Sequence, residues 1–149
     1  MVLLSGSGDT VVWFRLEFLD KFIDKSFKVY VLAPDIRPDL KKELDKRDID
    51  LIFIKLERKG FNIINFILSV KELIKIFRKI EPDIIFSYTH KAILSGSLAA
   101  KLSGFTNSYS FITGTGHLFD DKTYKEKFIK FGSSLLLKLG LKFNKIVFF

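Results

Sequence analysis

The chain has 149 residues, of which 48% are hydrophobic, so it is long and apolar enough for one ordinary domain with a core. It contains no cysteine, which excludes disulfides, thiolate metal sites and cysteine nucleophiles, and suits a reducing compartment. The net charge of +8 is concentrated: residues 55–79 carry seven basic and two acidic groups, residues 122–149 carry seven and one, and the remainder is slightly acidic.

No apolar run approaches the roughly 20 residues that span a bilayer. Met1-Val2-Leu3-Leu4 runs directly into Ser5-Gly6, so no signal peptide is expected. The two basic segments can attract phosphates, an anionic membrane or nucleic acid, or form a solvated lysine face.

In chain order, Val2-Leu3-Leu4 predicts a first strand, left by Ser5-Gly6-Ser7-Gly8-Asp9-Thr10. A helix is expected over residues 13–25. A second strand over 28–32 exits through Ala33-Pro34-Asp35, and a helix over 38–47 follows. The third strand, 50–54, leads to Glu57-Arg58-Lys59-Gly60. The next helix, 62–80, places Ile63, Phe66, Ile67, Val70, Ile74 and Phe77 on one face and Lys71, Lys75 and Arg78 on another. Pro82 stops it before a fourth strand over 83–86. That strand runs into Tyr88-Thr89-His90-Lys91, and a helix rich in small residues is expected over 93–103. A fifth strand, 109–112, exits through Thr113-Gly114-Thr115-Gly116-His117. A last helix over 124–139 and a strand over 145–149 complete the pattern.

Strands with unbroken apolar runs are buried on both faces, as in a parallel sheet covered by helices. The expected fold is α/β: a Rossmann-like, doubly wound parallel sheet of about six strands, with helices on both faces. Such sheets bind ligands beyond the carboxyl ends of their strands, where the strand order switches. Both histidines, His90 and His117, fall at such ends.

The Ser5–Gly8 stretch lets backbone N–H groups approach a phosphate or a sugar, or is a flexible turn. It is not the dinucleotide fingerprint, because Val11 stands at the third glycine's place. Thr113-Gly114-Thr115-Gly116 is a second glycine-rich exit with the same two readings. His90 and Lys91 can contact an anion or a sugar hydroxyl, or form a surface pair. Asp48-Ile49-Asp50 precedes its strand, at the wrong edge for a ligand. Asp120-Asp121 reads as a helix start, so no metal cluster is expected. Phe128 and Phe131 with Lys122, Lys125, Lys127 and Lys130 suit either an anionic membrane or a core-facing helix with a lysine-rich outer side.

Four stretches together resemble the amino-terminal domain of bacterial family-4 glycosyltransferases of the GT-B fold, of the group that builds capsule, O-antigen or polyprenyl-linked glycans. They are Trp13-Phe14-Arg15; Glu57-Arg58-Lys59-Gly60-Phe61-Asn62; the run from Pro82 through Tyr88-Thr89-His90-Lys91 into Gly96-Ser97-Leu98-Ala99-Ala100-Lys101; and Ile112-Thr113-Gly114-Thr115-Gly116. The family commonly shows Asp-Arg-Lys-Gly, Tyr-Thr-Ile-Lys-Pro and Thr-Gly-Leu-Gly there. His90, Ala92 and Thr115 stand where Ile, Pro and Leu are frequent.

The resemblance implies one half of a GT-B fold, residues 1–149 being the acceptor side and a carboxyl-terminal donor-binding domain being absent from this chain. It implies a retaining glycosyltransferase that needs no metal cofactor and takes a sugar from a nucleotide-sugar, a UDP-sugar, to a polyprenyl-diphosphate-linked or polysaccharide acceptor. This chain alone would be inactive. Arg15, Arg58 and Lys91 would bind diphosphate or sugar oxygens. Gly6, Gly8, Thr113, Gly114 and Gly116 would let substrates approach, and Tyr88, Thr89, His90 or His117 would contact sugar hydroxyls. No catalytic residue is assigned. The implied location is cytoplasmic, peripheral at the inner face of the cell membrane, with an anionic surface as partner and no nucleic acid. The alternatives are a non-catalytic subunit of a split enzyme, a small nucleotide- or nucleic-acid-binding α/β protein, and half of a sugar-nucleotide epimerase.

Overall fold

The computed structural model describes residues 1–35, 37–57, 62–112, 138 and 141–148. The expected helix over 124–139, apart from residue 138, and the Thr113–His117 exit lie outside the described residues, as do Arg58, Lys59 and Gly60.

Six parallel strands form one sheet in the order β3-β2-β1-β4-β5-β6. They are β1 (Val2–Ser5), β2 (Tyr30–Ala33), β3 (Asp50–Phe53), β4 (Ile85–Tyr88), β5 (Ser108–Phe111) and β6 (Ile146–Phe148). The helices are α1 (Gly8–Phe14), α2 (Leu16–Ile23), α3 (Pro38–Asp45), α4 (Ile63–Ile80) and α5 (His90–Leu102). The chain winds outward from β1 to β3 and returns to place β4 on the other side of β1. The switch in order therefore falls between β1 and β4, with Ser5 opposite Tyr88.

Alternation along β1 sorts the core into two layers. Leu3 joins Val31, Leu19, Leu40, Leu44 and Phe86 on the side of α2 and α3. Val2 and Leu4 join Leu32, Leu73, Phe77, Ile85 and Ala99 on the side of α4 and α5. All four residues of β1 are buried, and so are all four of β4. Removing a buried leucine here would cost about 2–5 kcal/mol.

Helix α5 lies close to the sheet because its inner positions are small. A Cβ added at Gly96 would stand 2.5 Å from both Leu4 Cδ2 and Ser87 Oγ. Helix α4 starts at Asn62, whose Oδ1 accepts from the N–H groups of Ile64 and Asn65 at 2.9 and 3.3 Å, satisfying two of the orphan donors at a helix start. It ends at Glu81, whose φ of 49° is left-handed, just before Pro82.

Four expectations need correction. The first helix begins at Gly8, not Trp13, and breaks at Arg15, whose φ of −129° separates α1 from α2. Strand β4 extends through Ser87 and Tyr88, both buried, so Tyr88 is a strand residue rather than part of an open loop. Helix α5 begins at His90, which puts His90 and Lys91 in its first turn. In α4 the buried stripe is Ser69, Val70, Leu73 and Phe77. Ile63 and Ile67, placed by spacing on one face with Val70 and Phe77, are instead 57% and 46% exposed, and share the outer surface with Ile64 and Leu68.

Candidate substrate-binding site at the carboxyl edge

The loop leaving β1 is tightly tied. Ser5 Oγ donates to Ser7 O at 2.6 Å and accepts from Ser7 N at 3.0 Å. Gly8 N donates to Asp35 Oδ1, at the exit of β2, at 2.6 Å. The N–H groups of Ser7 and Gly8 are thus engaged inside the protein, and what the structure attributes to the glycines is close packing. A Cβ at Gly8 would meet Leu40 Cδ2 at 2.5 Å, and one at Gly6 would meet Thr89 Oγ1 at 2.3 Å. The second contact joins the β1 exit to the β4 exit across the switch point.

Thr89 has a φ of 71°, a left-handed conformation costly for a β-branched residue. Its Oγ1 is buried without a hydrogen-bond partner, as is Ser7 Oγ. A strained residue with an unpaired hydroxyl at a switch point marks a functional site more readily than a folding requirement.

Tyr88 is buried, and its hydroxyl lies 3.0 Å from Thr10 Oγ1, which itself donates to Ser7 O at 2.9 Å. Burial pushes the Tyr88 phenol above its ordinary range. Arg15, at the break between α1 and α2, lies over the Tyr88 ring at 5.0 Å and the Phe111 ring at 5.6 Å. Both distances are within cation–π range. Tyr88 and Phe111 are cross-strand partners in the sheet register.

His90 and Lys91 are half-buried, and burial lowers the affinity of both for a proton. Lys91 Nζ donates to the carbonyl of Glu57, beyond β3, at 2.7 Å. Asn65 Nδ2 in turn donates to Glu57 Oε1. Lys91, Glu57, Asn62, Asn65 and Ser69 line one cleft between the starts of α4 and α5.

The site therefore has two cationic flanks. Arg15 stands on the α1–α2 side of the sheet edge and Lys91 on the α4–α5 side, with Gly6, Tyr88 and Thr89 at the junction between them. Arg58, Thr113, Gly114, Gly116 and His117 lie outside the described residues. The sequence reading missed Thr10, Asp35 and Phe111 as site residues. Phe111 was findable once β4 and β5 were aligned side by side. Among the described residues, no group of three metal-ligating side chains converges.

Two apolar surfaces flank the same edge. Trp13 and Phe14, next to Arg15, are 66% and 65% exposed. The outer face of α4 runs from Ile63, Ile64, Ile67 and Leu68 to the exposed Lys71, Lys75 and Arg78. No helix among the described residues is long and apolar enough to cross a membrane.

The family model described as Glycosyl transferase 4-like matches residues 1–149. The chain is 25% identical over 140 residues to N,N'-diacetylbacillosaminyl-diphospho-undecaprenol alpha-1,3-N-acetylgalactosaminyltransferase of Campylobacter jejuni, covering 94% of this chain and 37% of that protein. A solved glycosyltransferase from Rickettsia africae superposes with a TM-score of 0.61 at 19% identity, covering 92% of this chain and 34% of that one. A solved UDP-N-acetylglucosamine 2-epimerase superposes with a TM-score of 0.64 at 17% identity, covering 99% and 38%. The chain thus spans little more than a third of these proteins' lengths. At these identities the two solved structures establish the fold alone.

Proposed function

The chain belongs to the glycosyl transferase 4-like family, and from that membership we propose that it is the acceptor-binding half of a retaining glycosyltransferase. The donor is a nucleotide-sugar, a UDP-sugar, and the acceptor is a sugar carried on polyprenyl diphosphate. The donor is held chiefly by a second domain, and transfer takes place between the two.

The observation that carries this reading is the Gly6–Thr89 contact at the switch between β1 and β4, with Arg15 over the Tyr88 ring on one side of it and Lys91, tied to the Glu57 carbonyl, on the other. An acceptor of this class brings a diphosphate, a sugar and a long apolar chain. Arg15 and Lys91 supply cations for the first, the unpaired hydroxyl of Thr89 a partner for the second, and the exposed Trp13 and Phe14 an apolar contact for the third. A relative that acts on an undecaprenol-linked acceptor supports the same class.

The location we propose is peripheral, at an anionic membrane. The outer face of α4 presents four apolar side chains, followed by Lys71, Lys75 and Arg78. An exposed apolar patch continuous with a basic one is the pattern that lies on acidic lipid.

Sedimentation with vesicles tests the reading. Binding should tighten when the vesicles contain an undecaprenyl-diphosphate-linked sugar, and Arg15→Ala should remove that increment. Binding indifferent to the carrier overturns it. A second reading, half of a sugar-nucleotide epimerase, is compatible with the fold, which such an enzyme shares. It predicts binding of a free UDP-sugar by this chain with no gain from the lipid carrier.

A further inference from the structure

Arg15 is an unusual cation for a folded domain. Among the described residues no carboxylate lies within ion-pair distance of it, whereas Arg37 and Arg47 each pair with two. Its hydrogen bond is local, from Nη1 to the carbonyl of Phe14 at 2.9 Å. Its Nε is buried without a partner. What holds the guanidinium is aromatic: the rings of Tyr88 and Phe111, at 5.0 and 5.6 Å. A guanidinium held over rings does not spend its N–H groups on that contact, so the terminal N–H groups beyond the one given to Phe14 can meet an oxyanion.

The same geometry changes the part played by Tyr88. Its hydroxyl is engaged by Thr10 at 3.0 Å and is buried. The ring face, not the hydroxyl, is what Tyr88 offers the site. Phe111, beside it in the register, offers only a ring. The break between α1 and α2 brings Arg15 over the Tyr88 ring, which is buried in the sheet edge whatever its hydroxyl touches.

We propose that Tyr88 and Phe111 are positioning residues whose adjacent rings hold the Arg15 guanidinium as a pre-set receptor for a diphosphate. The inference rests on the reading of this edge as the acceptor site. It adds that the pair acts through Arg15 and not by touching substrate. A cation held on rings, with no carboxylate among the described residues to displace, meets an anion without first breaking an ion pair and with little side-chain freedom left to lose.

Two measurements on the intact chain test it: calorimetric binding of inorganic pyrophosphate, and the NMR signal of the Arg15 Nε–H group. The ring currents should shift that signal upfield of solvent-exposed arginines. Tyr88→Phe should keep the shift and the affinity. Tyr88→Leu and Phe111→Leu should move the signal downfield and weaken pyrophosphate binding about three- to tenfold. Phe111 is half-buried, so Phe111→Leu carries the test if Tyr88→Leu does not fold. If Arg15→Ala weakens binding but both leucine variants bind like the wild type, the positioning role is overturned and the anion site survives. If the wild type does not bind pyrophosphate, or Arg15→Ala binds it equally well, the anion site and the inference fall together.

Discussion

A methyl group added to Gly6 would stand 2.3 Å from Oγ1 of Thr89, so the loop leaving β1 and the turn leaving β4 are in direct contact. Real Cβ atoms do not approach an oxygen so closely, and the neighbour here has a fixed, left-handed backbone. Gly6→Ala should therefore destabilise the fold by about 1–3 kcal/mol. The cost should shrink when Thr89→Ala removes the hydroxyl, a coupling that a double-mutant cycle in urea measures directly. A Gly6→Ala variant as stable as the wild type would show that the two exits are not packed this way.

His90 gives a pH dependence whose sign is fixed by its burial. Desolvation lowers its pKa below the ordinary value of 6.5, so between the two values the unfolded chain binds more proton than the folded one. Its contribution to stability is full above pH 6.5 and is lost as the pH falls towards the lowered value. His90→Gln should flatten that part of the stability profile, measured as the urea midpoint between pH 7.5 and 5.5. A wild-type profile with the opposite slope, corrected against His90→Gln, would contradict it.

The outer face of α4 should bind acidic vesicles through two separable contributions. Lys71→Gln with Lys75→Gln should weaken binding by about 2 kcal/mol, roughly thirtyfold at low salt, and reduce its salt dependence. Ile64→Ser with Leu68→Ser should weaken binding while leaving the salt dependence in place. Vesicle flotation at two ionic strengths separates the two. Equal binding by all variants would place the membrane contact elsewhere.

The parallel sheet was legible because β-branched and aromatic runs such as Val29–Leu32 and Leu51–Ile54 alternate with helical periods, and a parallel order follows from their two-sided burial. The break at Arg15 was not legible: Val11, Val12, Leu16, Leu19 and Phe22 keep an apolar rhythm straight through it. The start of α5 at His90 was hidden for a different reason. Thr89 is an ordinary capping residue type, but its positive φ at the end of β4 is visible only in the structure, and the sequence there reads equally well as a strand exit. In α4, Ile63, Ile64, Ile67 and Leu68 are apolar on adjoining stripes, and spacing alone does not say which stripe the sheet covers. The partnership of Arg15 with Tyr88 and Phe111 joins residues far apart in sequence, and only the register of β4 with β5 brings them together.

The most direct test of the account is an amide NMR titration of the chain with a short-chain, water-soluble polyprenyl-diphosphate-linked sugar. The account predicts that the perturbed amides cluster at the β1 exit from Ser5 to Thr10, at Arg15, and from Tyr88 to Lys91. Perturbations confined to the opposite edge of the sheet, or no perturbation at saturating concentration, would contradict the assignment of the switch point between β1 and β4 as the acceptor site.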